Sequence, residues 1–297
     1  MAKGYVIYNP LAGNGNAEED AKLLQMVLDV ELEYYDMTRI TNYKALLSGL
    51  QADDFIIISG GDGTLNHFIN DTASINIPND ILYFPSGTGN DFAHEFGRGA
   101  LSNPFSIKEY LQDLPTVQVK GRTYHFLNGI GFGIDGYCCE VGDELRKIPG
   151  KKVNYTAIAI KGLLFHFDPR NAKVTVDGKE YEYKKVWIAP TMLGKYYGGG
   201  MIPTPGQDRL NPEKTLSLML FYGGGRLRTL CAFPGIFKGE HVKHTDMVAL
   251  HTGHEITVEF DRPTPLQIDG ETILGVTSYA AKSAVCVANK VKERVCV

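Results

Sequence analysis

The sequence predicts a two-domain chain. Residues 1–122 are expected to form an α/β domain with a parallel sheet covered by helices on both faces, and residues 123–297 a mainly antiparallel β-sandwich. Three observations predict this. Strand-like and helix-like segments alternate through roughly the first 120 residues, as in a parallel sheet with crossover helices. The run Phe55 to Ile58 is continuously apolar, as a strand covered on both faces should be. Beyond about Tyr124 short strand-like runs take over, punctuated by Asp177-Gly178 and Asp269-Gly270, whose residue types suit tight hairpins.

In chain order, GYVIYN reads as the first strand, NAEEDAKLLQMVLDV as a helix after a loop, and ELEYYDM as the second strand. TNYKALLSGL reads as a helix, DDFIIISG as the third strand, a helix follows from about Thr64, and ILYFP is the fourth strand. The second half carries helical patches near Tyr155 to Phe167 and Leu227 to Lys238. Its strands are AKVTV and KEYEYKKVWIAP, TLSLMLFYG, MVALH, HEITVEF, PLQI and SYAAKSAVCV. The two halves are expected to enclose a cleft, and the extreme C-terminus is left free to return to the first domain.

A chain of 297 residues, 43% hydrophobic and 22% charged without low-complexity tracts, is long enough to bury a proper core and has the balance of a folded enzyme. The formal net charge of -4 argues against wholesale nucleic-acid binding, which needs an excess of Lys and Arg. Five cysteines, an odd number with no CxxC pair, read as reduced, buried thiols. The N-terminal residues show no secretory-signal pattern, and no stretch approaches the roughly 20 apolar residues of a membrane span. A cytoplasmic location is expected, with room for peripheral contact at a membrane surface; a homodimer is left open.

Three glycine-bearing loops fall at the ends of predicted strands: Asn9 to Gly13, Gly60 to Thr64, and Pro85 to Asp91. Each can bring bare backbone amides close to an anion, and the helix beginning near Thr64 would add its N-terminal dipole. Together they describe a nucleotide site. Asp62 is then the anomaly, because a carboxylate beside a triphosphate repels it unless a divalent cation mediates, with Asp91 as a second candidate ligand. The plainer alternative is that both aspartates cap helices, and spacing alone does not decide between the two.

The blocks NPLAG, GGDGTLN and PSGTGNDFA, in this order, resemble the signatures of the diacylglycerol kinase catalytic-domain family, which includes bacterial diacylglycerol kinases and sphingosine kinases. GGDGT alone is less specific than the GTGNDFA block. The resemblance continues through FLNGIGFGIDGYCCEV, KVWIAPTMLGKYYGGGM and LQIDGE, and so covers essentially the whole chain. It implies a phosphofructokinase-like N-terminal domain, a C-terminal β-sandwich, ATP and Mg²⁺, and a lipid substrate with a free hydroxyl. By motif match, Asn9, Gly60, Gly61, Asp62, Gly63, Thr64, Asn66 and Thr88 touch or shape the nucleotide site, and Thr38 resembles a threonine placed near the nucleotide after the second strand. Asp62, Asp91 and Asp135 match the acidic residues of the magnesium network. Asp269 matches the catalytic aspartate that accepts the lipid hydroxyl proton, with Glu271 supporting it or approaching the metal. From residue types alone, Asp269-Gly270 would be a hairpin turn and Glu271 a solvated turn residue.

Other patterns carry less. Gly131 to Gly136 matches GxGxxG but lacks a clean βαβ context and an acidic residue at the right distance downstream. No GxxxxGK[ST] is present. His241, His244, His251 and His254 are crowded, but strand alternation would scatter them over two faces. Arg146, Lys147, Lys151 and Lys152 beside NYTAIAIKGLLFHF suit an anionic membrane surface or the lipid entrance, and suit equally a solvated helix end.

The chain departs from the family after GGGM. Some bacterial members hold a structural Mg²⁺ in an acidic segment there, whereas Asn211, Glu213 and Ser217 stand near positions that prefer aspartate, and Asp208 compensates only if the loop is rearranged. The first loop also lacks a basic residue after its glycine, which suggests lower nucleotide affinity. Two rivals to an ATP- and Mg-dependent lipid kinase follow: a catalytically impaired nucleotide- or lipid-binding regulator, and a NAD-kinase-type enzyme with a soluble substrate.

Overall fold

The computed structural model describes residues 2–12, 16–148 and 153–286. The chain divides into two compact units, with the break between Leu114 and Pro115.

The first unit is built on five strands, β1 (Lys3–Tyr8), β2 (Glu31–Asp36), β3 (Phe55–Gly60), β4 (Asp80–Pro85) and β5 (Phe105–Ser106), in the order β2-β1-β3-β4-β5. The first four run parallel, and β5 pairs antiparallel with β4. Tyr8 stands opposite Asp36 and Ser59, and Gly60 opposite Pro85, so the strands end level with one another. Ile56, Ile57 and Ile58 of β3 are fully buried, as the apolar run requires. Val6, Ile57 and Phe84 pack with Ala21 and Leu24 from α1 (Ala17–Lys22) and α2 (Leu24–Val27). These two short helices replace the single helix expected over residues 16–30, because the chain turns extended at Leu28. Two more helices follow β2 and β3: α3 (Tyr43–Ser48) and α4 (Asp62–Asp71), the latter starting two residues before the expected Thr64. After β4 comes α5 (Asp91–Glu95).

The second unit is a ten-stranded antiparallel sheet. Its strands are β6 (Thr116–Val119), β7 (Arg122–His125), β8 (Gly129–Phe132), β9 (Arg170–Val176), β10 (Lys179–Val186), β11 (Thr191–Met192), β12 (Leu216–Phe221), β13 (Val248–Gly253), β14 (Glu255–Ile268) and β15 (Glu271–Lys282). HEITVEF and PLQI, expected as separate strands, are the two ends of β14. One end pairs with β9 from Ile256↔Val176 to Phe260↔Ala172, and the other with β8 from Leu266↔Phe132 to Ile268↔Ile130. Register shifts against β15 between Glu259 and Leu266 let one strand serve both neighbours. Phe132 and Phe260 stack at 4.0 Å between ring centroids in the core beneath this change of partner. β6 lies on the first-domain side of the expected boundary at 122, yet it pairs with β15 through Val117↔Ala281.

Asp177-Gly178 and Asp269-Gly270 both form two-residue hairpin turns with positive φ at each residue, 48° and 83° in the first, 47° and 95° in the second. Lys120-Gly121, which the sequence reading did not single out, does the same between β6 and β7, with φ of 49° and 75°.

The main departure from the expected elements is α6 (Ile134–Arg146), directly after β8. Gly136 and Gly142 obscure its periodicity, but both are demanded by packing. A side chain at Gly136 would collide with the Pro265 carbonyl on β14, and one at Gly142 would stand 2.7 Å from the ring of Tyr155. Tyr155 opens α7 (Tyr155–Lys161), which runs into a π-helical turn at Gly162–His166; α8 (Arg226–Ala232) lies after β12. The Gly131 to Gly136 motif therefore does join a strand to a helix, but the strand belongs to an antiparallel sheet. SYAAKSAVCV stops being a strand after Lys282. The return of the extreme C-terminus, Cys296, Lys151 and Lys152 lie outside the described residues. No helix among the described residues is long and apolar enough to cross a membrane.

Candidate functional site

In the first unit the C-terminal ends of the parallel strands bring the predicted nucleotide residues to one sheet edge. Their order makes β1 and β3 the place where connections diverge, since the chain leaves β1 for β2 on one side and crosses to β3 on the other. Ligands of open α/β sheets bind outside such a point. Asn9 follows β1, and its Oδ1 accepts the Leu11 N–H at 3.0 Å. Beyond β2, Asp36 Oδ1 accepts the N–H and hydroxyl of Thr38 at 2.9 and 2.7 Å, leaving Thr38 exposed. Gly13 of the first loop lies outside the described residues.

The loops after β3 and β4 interlock. The N–H groups of Ser86 and Gly87 donate to the Gly60 carbonyl at 2.9 and 3.1 Å, and the buried Tyr83 hydroxyl donates to the same oxygen at 3.1 Å. A side chain at Gly87 would strike the Gly61 backbone, and one at Gly60 would strike Thr64. Asn90 stays left-handed at φ 51° because its amide closes on the Gly87 backbone, accepting the N–H at 3.1 Å and donating to the carbonyl at 2.7 Å.

Asp62 is the hinge of this arrangement. Its Oδ2 accepts the Asp91 N–H and its Oδ1 the Phe92 N–H, each at 2.9 Å, so it caps α5 rather than its own helix. The capping alternative is thus realised, in trans. A carboxylate that caps a helix can also approach a hydrated divalent cation. A side chain at residue 89 would stand 3.4 Å from Asp62 Oδ2 and 4.0 Å from Asp91 Oδ2, so both carboxylates face the bare Gly89. The N-terminus of α4, with Asp62, Gly63 and Thr64 in its first turn, has no side-chain cap, and its orphan amides suit an anion. Asn66 is buried in α4 and bound by Asn70, while Thr88 is exposed.

In the second unit the Asp269 carboxylate is 5% exposed and accepts three backbone N–H groups: Leu127 at 2.6 Å, Asn128 at 2.8 Å and Gly129 at 2.9 Å. Glu271 opens β15 on the exposed side of the turn. Asp135 sits in the first turn of α6, buried, with Oδ2 lacking a hydrogen-bond partner. Burial pushes its carboxyl up to about 6, against the opposing pull of a hydrogen bond from Gln267. A side chain at Gly131 would collide with Asp135, which explains the bare backbone of β8. Gln267 also accepts the Gly270 N–H at 2.6 Å, so one amide joins Asp135 to the turn that carries Asp269.

Sequence reasoning passed over Gln267, Asn128 and Arg209. Asn128 and Gln267 fall inside or beside quoted family blocks, so a signal existed; Arg209 had none. Its buried guanidinium donates to the Leu127 carbonyl at 2.7 Å and to Asn128 Oδ1 at 3.0 Å.

Divalent-cation chemistry finds different donors in different places. Asp62 with Asp91, and separately Asp135 through its unpartnered Oδ2, fit an ion that keeps most of its water and takes one or two carboxylates. In the segment after Thr204, oxygens of Asn211, Ser217 and Asp208 are engaged within the chain. Asn211 Oδ1 accepts the Thr215 N–H at 2.9 Å, the Ser217 hydroxyl donates to Gln207 Oε1 at 2.6 Å, and Asp208 Oδ1 accepts the Leu210 N–H at 2.9 Å. No group of three or more His, Cys, Asp or Glu side chains converges among the described residues. His251 meets the Tyr183 hydroxyl at 2.7 Å, His254 meets Ser283 at 3.1 Å, and Lys147 pairs with Glu144. The glycine run after Lys195 is a closed turn, with Tyr197 and Met201 exchanging backbone bonds at 3.1 and 3.0 Å.

Residues 3–118 match the model of the diacylglycerol kinase catalytic domain, and residues 128–287 that of the YegS C-terminal NAD kinase beta sandwich-like domain. A diacylglycerol kinase of Mycobacterium tuberculosis (strain ATCC 25618 / H37Rv) is 27% identical over 255 residues, covering 82% of this chain and 81% of its own. One from Bacillus subtilis (strain 168) is 25% identical over 292 residues, covering 91% and 90%. A Staphylococcus aureus (strain JH9) relative, a candidate lipid kinase by name, is 31% identical over 236 residues, 74% of this chain and 72% of that protein. A Bacillus anthracis diacylglycerol kinase crystal structure superposes with a TM-score of 0.61 at 22% identity, covering 95% of this chain and 94% of that one, which shows a shared fold. The chain belongs to the diacylglycerol kinase catalytic-domain family and is a lipid kinase, a phosphotransferase with an alcohol group as acceptor.

Proposed function

We propose that the chain transfers the γ-phosphoryl group of ATP, with Mg²⁺, to a hydroxyl of diacylglycerol or a related lipid. The observation that carries the nucleotide half is the interlocked pair of glycine loops at the C-terminal ends of β3 and β4, with Asp62 and Asp91 facing the bare Gly89. Asn9, Thr38, Gly60, Gly61, Gly63, Thr64, Asn66 and Thr88 are proposed to bind or shape the ATP site around that pair. Asp62, Asp91 and Asp135 would hold Mg²⁺, which supplies charge neutralisation for the transferring phosphoryl group.

Asp269 is proposed as the base and Glu271 as its support. The three backbone N–H groups fix the Asp269 carboxylate in one orientation. Because the transition state of phosphoryl transfer is loose, this fixed orientation contributes more than basicity does. The test is incubation of purified protein with labelled ATP, Mg²⁺ and a panel of lipids and NAD. Label in a lipid supports the proposal, label only in NAD favours a soluble-substrate kinase, and ATP binding without transfer to anything favours a regulator.

A further inference from the structure

The peptide unit joining Leu127 to Asn128 is held at both ends. Its N–H, that of Asn128, donates to Asp269 Oδ1 at 2.8 Å. Its carbonyl, that of Leu127, accepts from Arg209 Nη1 at 2.7 Å. A cation on the oxygen of an amide polarises the group and strengthens the N–H as a donor, so the two bonds reinforce each other across one rigid plane. The second arm of the guanidinium binds Asn128 Oδ1 at 3.0 Å, which stops the next residue from turning. The Asn128 carbonyl in turn accepts the N–H groups of Leu193 and Gly194, both at 2.9 Å. Arg209, Asn128 and Asp269 are 5%, 2% and 5% exposed, so little water competes for these groups.

The loop that delivers Arg209 is itself closed by neutral bonds. Gln207 donates to the Leu193 and Thr215 carbonyls at 3.1 Å each and accepts from Ser217, which also contacts Thr252 at 3.1 Å. The buried guanidinium is thus anchored from a preformed loop onto the segment whose amides orient Asp269. Lysine could not replace it in kind, because one ammonium does not present a planar fork to a backbone and a side-chain oxygen on adjacent residues.

We infer that Arg209 is a positioning residue of this kinase: through the Leu127–Asn128 peptide it locks the amide cradle that aims the Asp269 carboxylate. The inference rests on the reading of Asp269 as the base, and the test separates the two. Arg209→Ala and Arg209→Lys are compared with wild type by hydrogen exchange at the Leu127, Asn128 and Gly129 amides, and by steady-state transfer from ATP to diacylglycerol in mixed micelles. The expected result is at least tenfold faster exchange at these amides in Arg209→Ala, a tenfold or greater loss of kcat with KM for ATP unchanged, and partial recovery of kcat by millimolar guanidinium ion. Arg209→Lys should fall between the two and carries the test if the alanine variant does not fold. Unchanged exchange at the three amides in a folded variant overturns the clamp. Faster exchange with undiminished kcat overturns its catalytic role. If wild type transfers to no lipid while exchange still rises, the base assignment fails and the clamp stands.

Discussion

Replacing Asp269 by Asn should destabilise the second unit independently of any effect on catalysis. Asn keeps the shape but offers one oxygen and one NH₂ in place of two oxygens. Placing the oxygen where Oδ1 stands retains the Asn128 and Gly129 amides, and turns the NH₂ toward the Leu127 N–H, now bound to Oδ2 at 2.6 Å. Donor then faces donor. A buried donor left without an acceptor costs about 1–3 kcal/mol, and the two retained bonds lose their charge assistance, roughly 0.5–1 kcal/mol each. The sum is about 2–5 kcal/mol, which in a unit of this size moves Tm by about 5–15 °C. Asp177 is the internal control. It occupies the same position in the other aspartate-glycine turn and accepts the His254 and Glu255 N–H groups at 2.9 and 2.8 Å, but it is exposed. Water can replace it there, so Asp177→Asn should cost no more than about 1 kcal/mol. Thermal and urea unfolding of the two variants side by side decide the matter. A loss within about 0.5 kcal/mol for Asp269→Asn, or equal losses for both, would refute the argument that burial makes this cradle structurally expensive to break.

Other consequences follow from the same geometry. Gly87→Ala drives a methyl group into the Gly61 backbone and should cost about 1–3 kcal/mol while weakening ATP binding, measurable by calorimetric titration; unchanged affinity would separate the loop contact from the nucleotide site. Asp62→Asn removes charge-assisted caps from the first amides of α5, with an expected loss of about 1–2 kcal/mol in urea unfolding beside any loss of activity. Burial pushes the His241 imidazole below its ordinary value, so the folded state resists the proton that the unfolded chain accepts near pH 6.5. Its contribution is whole above that pH and is lost as pH falls through it toward the depressed folded value. Unfolding midpoints between pH 7.5 and 5.5 should therefore decline less steeply in His241→Gln than in wild type, and equal slopes would contradict the assignment.

What the sequence made legible was governed by short-range rules. The covered strand at Phe55 to Ile58 and the two aspartate-glycine turns each follow from a few adjacent residues, and the structure has them as expected. What escaped depends on partners far along the chain. The sequence reading assigned no helix where Gly136 and Gly142 lie in α6, and Pro265 and Tyr155, pressed against them, are what demand glycine there. Asp261, Arg262 and Pro263 fall between two runs expected as separate strands, yet they lie in the irregular middle of one strand that changes neighbours. Asp62 finds its amides 29 and 30 residues later, and Arg209 its oxygens 81 and 82 residues earlier, separations at which one sequence carries no contact signal.

The central claim is phosphoryl transfer to a lipid through Asp269, and one measurement meets it head on: the initial rate of ³²P transfer from [γ-³²P]ATP to diacylglycerol in mixed micelles with Mg²⁺. Wild type and Asp269→Asn are compared at a temperature where unfolding scans show both fully folded. The account predicts labelled phosphatidic acid from the wild type and a rate at least 100-fold lower from the variant, as expected for loss of a positioned base. Equal rates from the two proteins, or no labelled lipid from either, would contradict it.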